Sequence, residues 1–270
     1  MSPKQFILVL LLLIPLTSTH AMMYEIIDHC DRAPGGNKYA NELSIYYKAS
    51  VLSGATEQVL NTFCQIEGEG KKYDTVTLQI ESFTQSPDTV ASTKDNVIRM
   101  NADYLRHYQG DIKKEFAGVV YHEMTHVWQW TGNGTAPTGL INGIADYMRL
   151  KGGYAPKGWP RKGSGSRWDE GYAVTAYFLD YCDGLEPGFV AKLNALMKDS
   201  YSDAFFVDLL GKFVHRLWRD YKLAHGSEED YPKPYARTLP SDYHVPWKAD
   251  DVPKSNAYLK YLQYYIHYMF

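Results

Sequence analysis

The spacing of apolar residues changes character about two-fifths of the way along the chain. From Thr75 to Ile80 the apolar side chains Val76, Leu78 and Ile80 alternate with polar ones, the period of a half-buried strand. Tyr24 to Asp28 and Val97 to Met100 are shorter runs of the same kind. Between the first two, Tyr39 to Cys64 carries Leu43, Tyr46, Tyr47 and Val51 at helical spacing, with Ser53-Gly54 marking a bend. From residue 111 onward the helical period takes over. Asp111 is an N-cap for a helix through Phe116, Val119 and Val120 to Trp130, and Gly132 and Gly134 end it. Pro137-Thr138-Gly139 opens a second helix over about 140–150, and further helices are expected over 170–181, 189–198 and 204–221. A few strands followed by a mainly helical half describe an α+β fold with a small N-terminal sheet.

The first long helix carries the candidate chemistry. Tyr121-His122-Glu123-Met124-Thr125-His126 contains the H-E-x-x-H spacing. Side chains four apart lie on one face of a helix, so His122 and His126 can grip one Zn²⁺ together. Glu123 lies near enough to deprotonate a water on that ion. A catalytic zinc wants three protein ligands and an open position. The third is expected from the next helix, where Asn142 and Asp146 are the available oxygens. Nineteen residues separate His126 from Asp146, and a carboxylate is a better zinc partner than a neutral amide. Asp146 is therefore the expected third ligand, with Asn142 the alternative. Tyr172, Tyr147 and His215 are conceivable donors to the oxyanion of an attacked carbonyl.

Bulk properties narrow the setting. A formal charge of −3 argues against nucleic-acid and anionic-membrane partners. Lys4, the apolar stretch Phe6 to Leu16 and the small-residue site Thr19-His20-Ala21 form a secretory signal peptide over residues 1–21. At 11 residues that stretch is shorter than a membrane-spanning helix, which needs about 20. A soluble, secreted product without stable membrane association is expected. Cys30, Cys64 and Cys182 allow at most one bridge, Cys30–Cys64 being one option and unbridged buried thiols the other. Asn133-Gly134-Thr135 is a glycosylation sequon just past the metal helix. Residues 22–225 read as one domain, and 226–270 as a Tyr- and Pro-rich extension whose segment Tyr258 to Phe270 is expected to dock on it.

Several segments together resemble a known group. Tyr121-His-Glu-Met-Thr-His-Val-Trp-Gln-Trp130, Gly132-Asn-Gly134, Gly143-Ile-Ala-Asp-Tyr147, Gly153-Tyr-Ala-Pro156, Arg167-Trp-Asp169 and Phe178-Leu-Asp-Tyr-Cys182 are similar to the plant basic secretory proteins. That family is zincin-like and pathogenesis-related, with members described as metallopeptidases. The resemblance covers roughly residues 25–225. It implies His122 and His126 as zinc ligands and Glu123 as base. It also implies peptide or protein substrates, and an extracellular setting (apoplast or cell wall) in defence or stress. The family's pattern has Glu where this chain has Asn142, and Gln, Asp and Arg at Glu170, Ala173 and Tyr177. Two functions follow as expectations: a secreted zinc peptidase, or a catalytically impaired pseudopeptidase that binds extracellular partners.

Overall fold

Beside the strand Met23–Asp28 (β1) runs Thr75–Glu81 (β2), and the two pair in parallel with Ile26 opposite Leu78. The computed structural model describes residues 22–29, 42–64 and 70–226, all within the first of two compact units, Met1–Asp230. The expected signal peptide, Cys30 and the expected extension beyond Gly226 lie outside the described residues. The sheet has four strands in the order β1-β2-β4-β3. Val97–Asn101 (β4) pairs in parallel with β2, and Ala91–Lys94 (β3) closes the edge antiparallel to β4. β3 is absent from the sequence expectation because Ala-Ser-Thr-Lys lacks an apolar alternation. Its signal is the two-residue turn Asp95-Asn96 between Lys94 and Val97, with Asp95 at φ 54°, a left-handed conformation that Asp tolerates.

Period-2 patterning puts Val76, Leu78, Ile80, Ile98 and Met100 in the core, each with no exposed surface. Against the sheet lie the helices Ile45–Phe63 (α1) and Ile112–Trp128 (α3). The expected bend at Ser53-Gly54 does not occur. Gly54 is instead a close-packing position: a Cβ there would stand 3.1 Å from the Tyr121 hydroxyl of α3. A short helix, Ala102–His107 (α2), follows β4 directly, capped by the Asn101 side chain on Asp103 N at 3.0 Å.

Helix α3, which carries the H-E-x-x-H sequence, begins as the sequence implies, with Asp111 Oδ1 accepting from Lys114 N at 3.0 Å. Thr138–Lys151 (α4) packs on it, and Tyr172–Leu185 (α5) packs on α4. Gly143 permits that second contact, since a Cβ there would fall 2.2 Å from Thr175 Cγ2. Phe189–Leu196 (α6), Ala204–Leu210 (α7) and Val214–His225 (α8) complete the described chain. The single helix expected over 204–221 is two helices, broken where Gly211 takes φ 67° and caps α7. Cys64 and Cys182 are free thiols, Cys182 buried.

Candidate metal centre

One face of α3 forms the floor of a cleft of about 930 Å³. His122, Glu123 and His126 line the floor. β3 and the loop before it, from Asp88 to Thr93, form one wall, and Asn142, Asp146, Tyr172 and Ala173 line the cleft as well. Each imidazole is held from behind. His122 Nδ1 lies 2.7 Å from Asp146 Oδ1, and His126 Nδ1 lies 2.9 Å from Gln129 Oε1. Gln129 leaves the helix as its C-cap and is fully buried, and its amide nitrogen donates to Ile141 O at 3.2 Å. That bond fixes which end of the amide faces the ring.

These contacts decide the tautomers. With an oxygen acceptor at each Nδ1, the ring protons sit there, and each Nε2 keeps a lone pair. The two Nε2 atoms face each other across 3.1 Å. Two acceptors so placed repel one another unless a cation lies between them. Nitrogens bonded tetrahedrally to one zinc at about 2.0–2.1 Å stand about 3.3 Å apart, so the ring pair fits two corners of such a site. Burial, and then the neighbouring His122, hold His126 well below the ordinary imidazole value, at about 3, so it stays neutral and able to ligate.

Asp146, the expected third ligand, lines the cleft beside the His122 ring. Asp146 is 4% exposed, and its bonded carboxylate oxygen is at the edge of the His122 ring away from His126. The physical reason is the Nδ1–H donor, which an anionic acceptor on α4 satisfies better than a neutral one. Among the described residues no group of three or more His, Cys, Asp or Glu side chains is arranged for a metal ion. Asn142, one turn earlier on α4, lines the cleft; its amide nitrogen donates to Thr138 O at 3.0 Å, which leaves the carbonyl oxygen unengaged.

Glu123 is 6% exposed and accepts from the Thr93 hydroxyl at 2.6 Å through Oε2. Burial raises its carboxyl above the usual range, partly opposed by His122 and by the Thr93 bond. Thr93 and Gln129 are the site residues that sequence reasoning missed. Gln129 had a legible signal, three residues after His126 at the end of the helix; for Thr93, on an unexpected strand, the only signal was the Asp95-Asn96 turn that follows it.

Of the three oxyanion candidates only Tyr172 reaches the cleft. Its ring lies parallel to His122, with centroids 6.0 Å apart and a 15° interplanar angle. It follows Gly171 (φ 104°) and itself takes φ 45°, a costly conformation for an aromatic residue. Tyr147 is buried against Asp183, and His215 lines a different cavity with Trp218.

A family model described as peptidase of plants and bacteria, the basic secretory proteins, matches residues 19–221. The chain belongs to the basic secretory protein family. A basic secretory protease of Boswellia serrata is 42% identical over 59 residues, which is 22% of this chain and 67% of that protein. No solved structure matches the fold. The basic secretory protein match takes in β1 and nearly all of α8, so every residue that lines the cleft lies within it. Of the three further positions where the resemblance implies a departure from the family's pattern, Ala173 lines the cleft and Tyr177 packs edge-on against the cleft residue Trp159 at 5.6 Å, whereas Glu170 accepts from the N–H of Ser166, a residue of the other cavity, at 2.7 Å. No helix among the described residues is long and apolar enough to cross a membrane.

Proposed function

We infer that this protein is a zinc-dependent peptidase of zincin-like architecture acting outside the cell. The observation that carries the reading is the pair of Nε2 lone pairs facing each other at 3.1 Å, with Glu123 beside them on the same helix. Membership of a peptidase family supports it. His122 and His126 would hold the ion; Asp146 and Gln129 orient their rings from behind; the Asn142 amide oxygen is the remaining protein donor. Zinc there would supply a Lewis acid that polarises the peptide carbonyl and acidifies water.

The chain's own groups do the rest. Thr93 pins one oxygen of Glu123, which leaves the other to take a proton from the attacking water and return it to the leaving amine. The raised carboxyl suits that two-way traffic. The outer edge of β3 lies along the cleft and offers backbone groups to an extended peptide. The Tyr172 hydroxyl is the donor to the developing oxyanion. Secretion is supported by the apolar segment near the N-terminus and by the name of the Boswellia relative. A role in defence or stress, in the apoplast or cell wall, belongs to the same reading.

A second reading has its own observation. A neutral third donor holds zinc more weakly than a carboxylate, so Asn142 supports a pseudopeptidase that binds peptides without turning them over. Casein or peptide-library hydrolysis separates the two. Cleavage by the wild type, abolished by Glu123→Ala and by chelation, establishes the enzyme. Cleavage only after Asn142→Glu establishes the binding protein, and cleavage unaffected by Glu123→Ala defeats the inference.

A further inference from the structure

Two helical turns before His122, the cleft contains a second polar group. Glu115 and Arg149 both line it there, beside Val119 and Trp159. Arg149 is only 9% exposed, and it crosses α3 at Gly118, where a Cβ would lie 2.5 Å from its Nε. Its guanidinium donates through Nε to Tyr154 O at 3.1 Å and through Nη2 to Glu115 Oε2 at 2.8 Å. Glu115 also accepts from the Tyr104 hydroxyl at 2.8 Å and from the Tyr108 hydroxyl at 3.4 Å.

The hydrogen-bond accounting is lopsided. The carboxylate has three donors, whereas the guanidinium has five N–H groups, of which only two are used. Nη1 has no acceptor among the described residues, and it is not sealed from solvent. Arg149 is also the one Lys or Arg among the described residues that line the cleft, which carries the carboxylates of Asp88, Glu115, Glu123 and Asp146.

We propose that Arg149 receives a carboxylate of the bound peptide, either an acidic side chain or the C-terminal carboxylate, through its unused guanidinium edge. The proposal rests on the peptidase reading of the same cleft. Away from the metal pair, the carboxylates that line the cleft repel an anion, and Arg149 is the one lining side chain that would attract it. The planar fork matches a carboxylate, and Glu115 does not cancel it, because two tyrosine hydroxyls already spread that charge. Seven residues of helix at about 1.5 Å each put the group about 10 Å from the metal pair. That is roughly three residues of extended peptide at about 3.3 Å apiece.

The test uses the full chain carrying Glu123→Ala, which keeps the cleft but does not turn substrate over. Fluorescein-labelled decapeptides of one sequence are compared by anisotropy as free acid and C-terminal amide, and with Glu or Gln at each position in turn. One exchange of acid for amide weakens binding by roughly tenfold or more, and which exchange does so identifies the source of the carboxylate. Adding Arg149→Met together with Glu115→Gln, which removes the pair without stranding a buried charge, abolishes the preference. Arg149→Lys, which retains charge without the fork, reduces it. Equal binding of all acid and amide forms overturns the proposal, as does a preference that survives the loss of Arg149. Absence of binding by every peptide defeats the peptide-cleft reading itself, and the proposal with it.

Discussion

At the scale of single residues, the site is a set of hydrogen bonds that leave two nitrogens with nothing to do but ligate. Asp146 and Gln129 act through the rings they hold, and partners of this kind typically contribute about 10–100-fold to metal affinity. Asp146→Ala is therefore expected to raise the zinc dissociation constant by about that factor in a competition titration. Complete loss of binding would place Asp146 back among the ligands. Glu123→Ala should leave zinc stoichiometry intact and lower kcat by about 10²–10⁴-fold, the usual contribution of a general base. Protonation gives a separate check. His126 has a folded value of about 3, below the ordinary imidazole range, so the folded metal-free protein binds fewer protons than the unfolded chain between about 3 and 6.5. Stability from this group is full above that window and falls as pH drops through it. Buried Glu123, with its raised carboxyl, works in the opposite sense. In a Glu123→Gln background, the metal-free Tm should decline between pH 6.5 and 4, and His126→Gln should flatten that decline.

At the scale of elements, close helix contacts fix the site, and glycines make them possible. Gly143→Ala would drive a methyl group into Thr175 Cγ2 between α4 and α5, helices that position Asp146 and Tyr172. Overpacking of this kind costs about 1–3 kcal/mol, and urea unfolding should show it as a lower midpoint. The same scale shows what the sequence could reveal. Helix α3, its Asp111 cap and the H-E-x-x-H face were legible because strong period and cap chemistry agree there. The long β2 alternation was legible for the same reason. β3 was not, although it carries Thr93, because a four-residue polar edge strand owes its existence to pairing with β4 rather than to its own pattern. The contact of Asp146 with His122 Nδ1 was not legible, because spacing along a chain places a residue near a site without saying which ring nitrogen it meets. The break at Gly211 was hidden by apolar residues that continue the helical period on both sides of it.

At the scale of the molecule, a small sheet with one antiparallel edge strand and a helical half meet along α3, and the cleft runs where they meet. The family match spans that whole arrangement, so the peptidase character belongs to the fold as a unit and not to the motif alone. In this chain the cleft has a neutral amide at position 142 and, two turns further along α4, the Arg149 guanidinium; under the proposed function the first bears on metal affinity and the second on peptide choice. The central claim is that His122 and His126 share one zinc ion. The most direct measurement is zinc content by mass spectrometry after exhaustive dialysis into trace-zinc buffer, on the wild type beside the His122→Ala/His126→Ala double variant. The account predicts close to one zinc per chain in the wild type and essentially none in the variant. A zinc-free wild type, or a double variant that keeps its zinc, would contradict it.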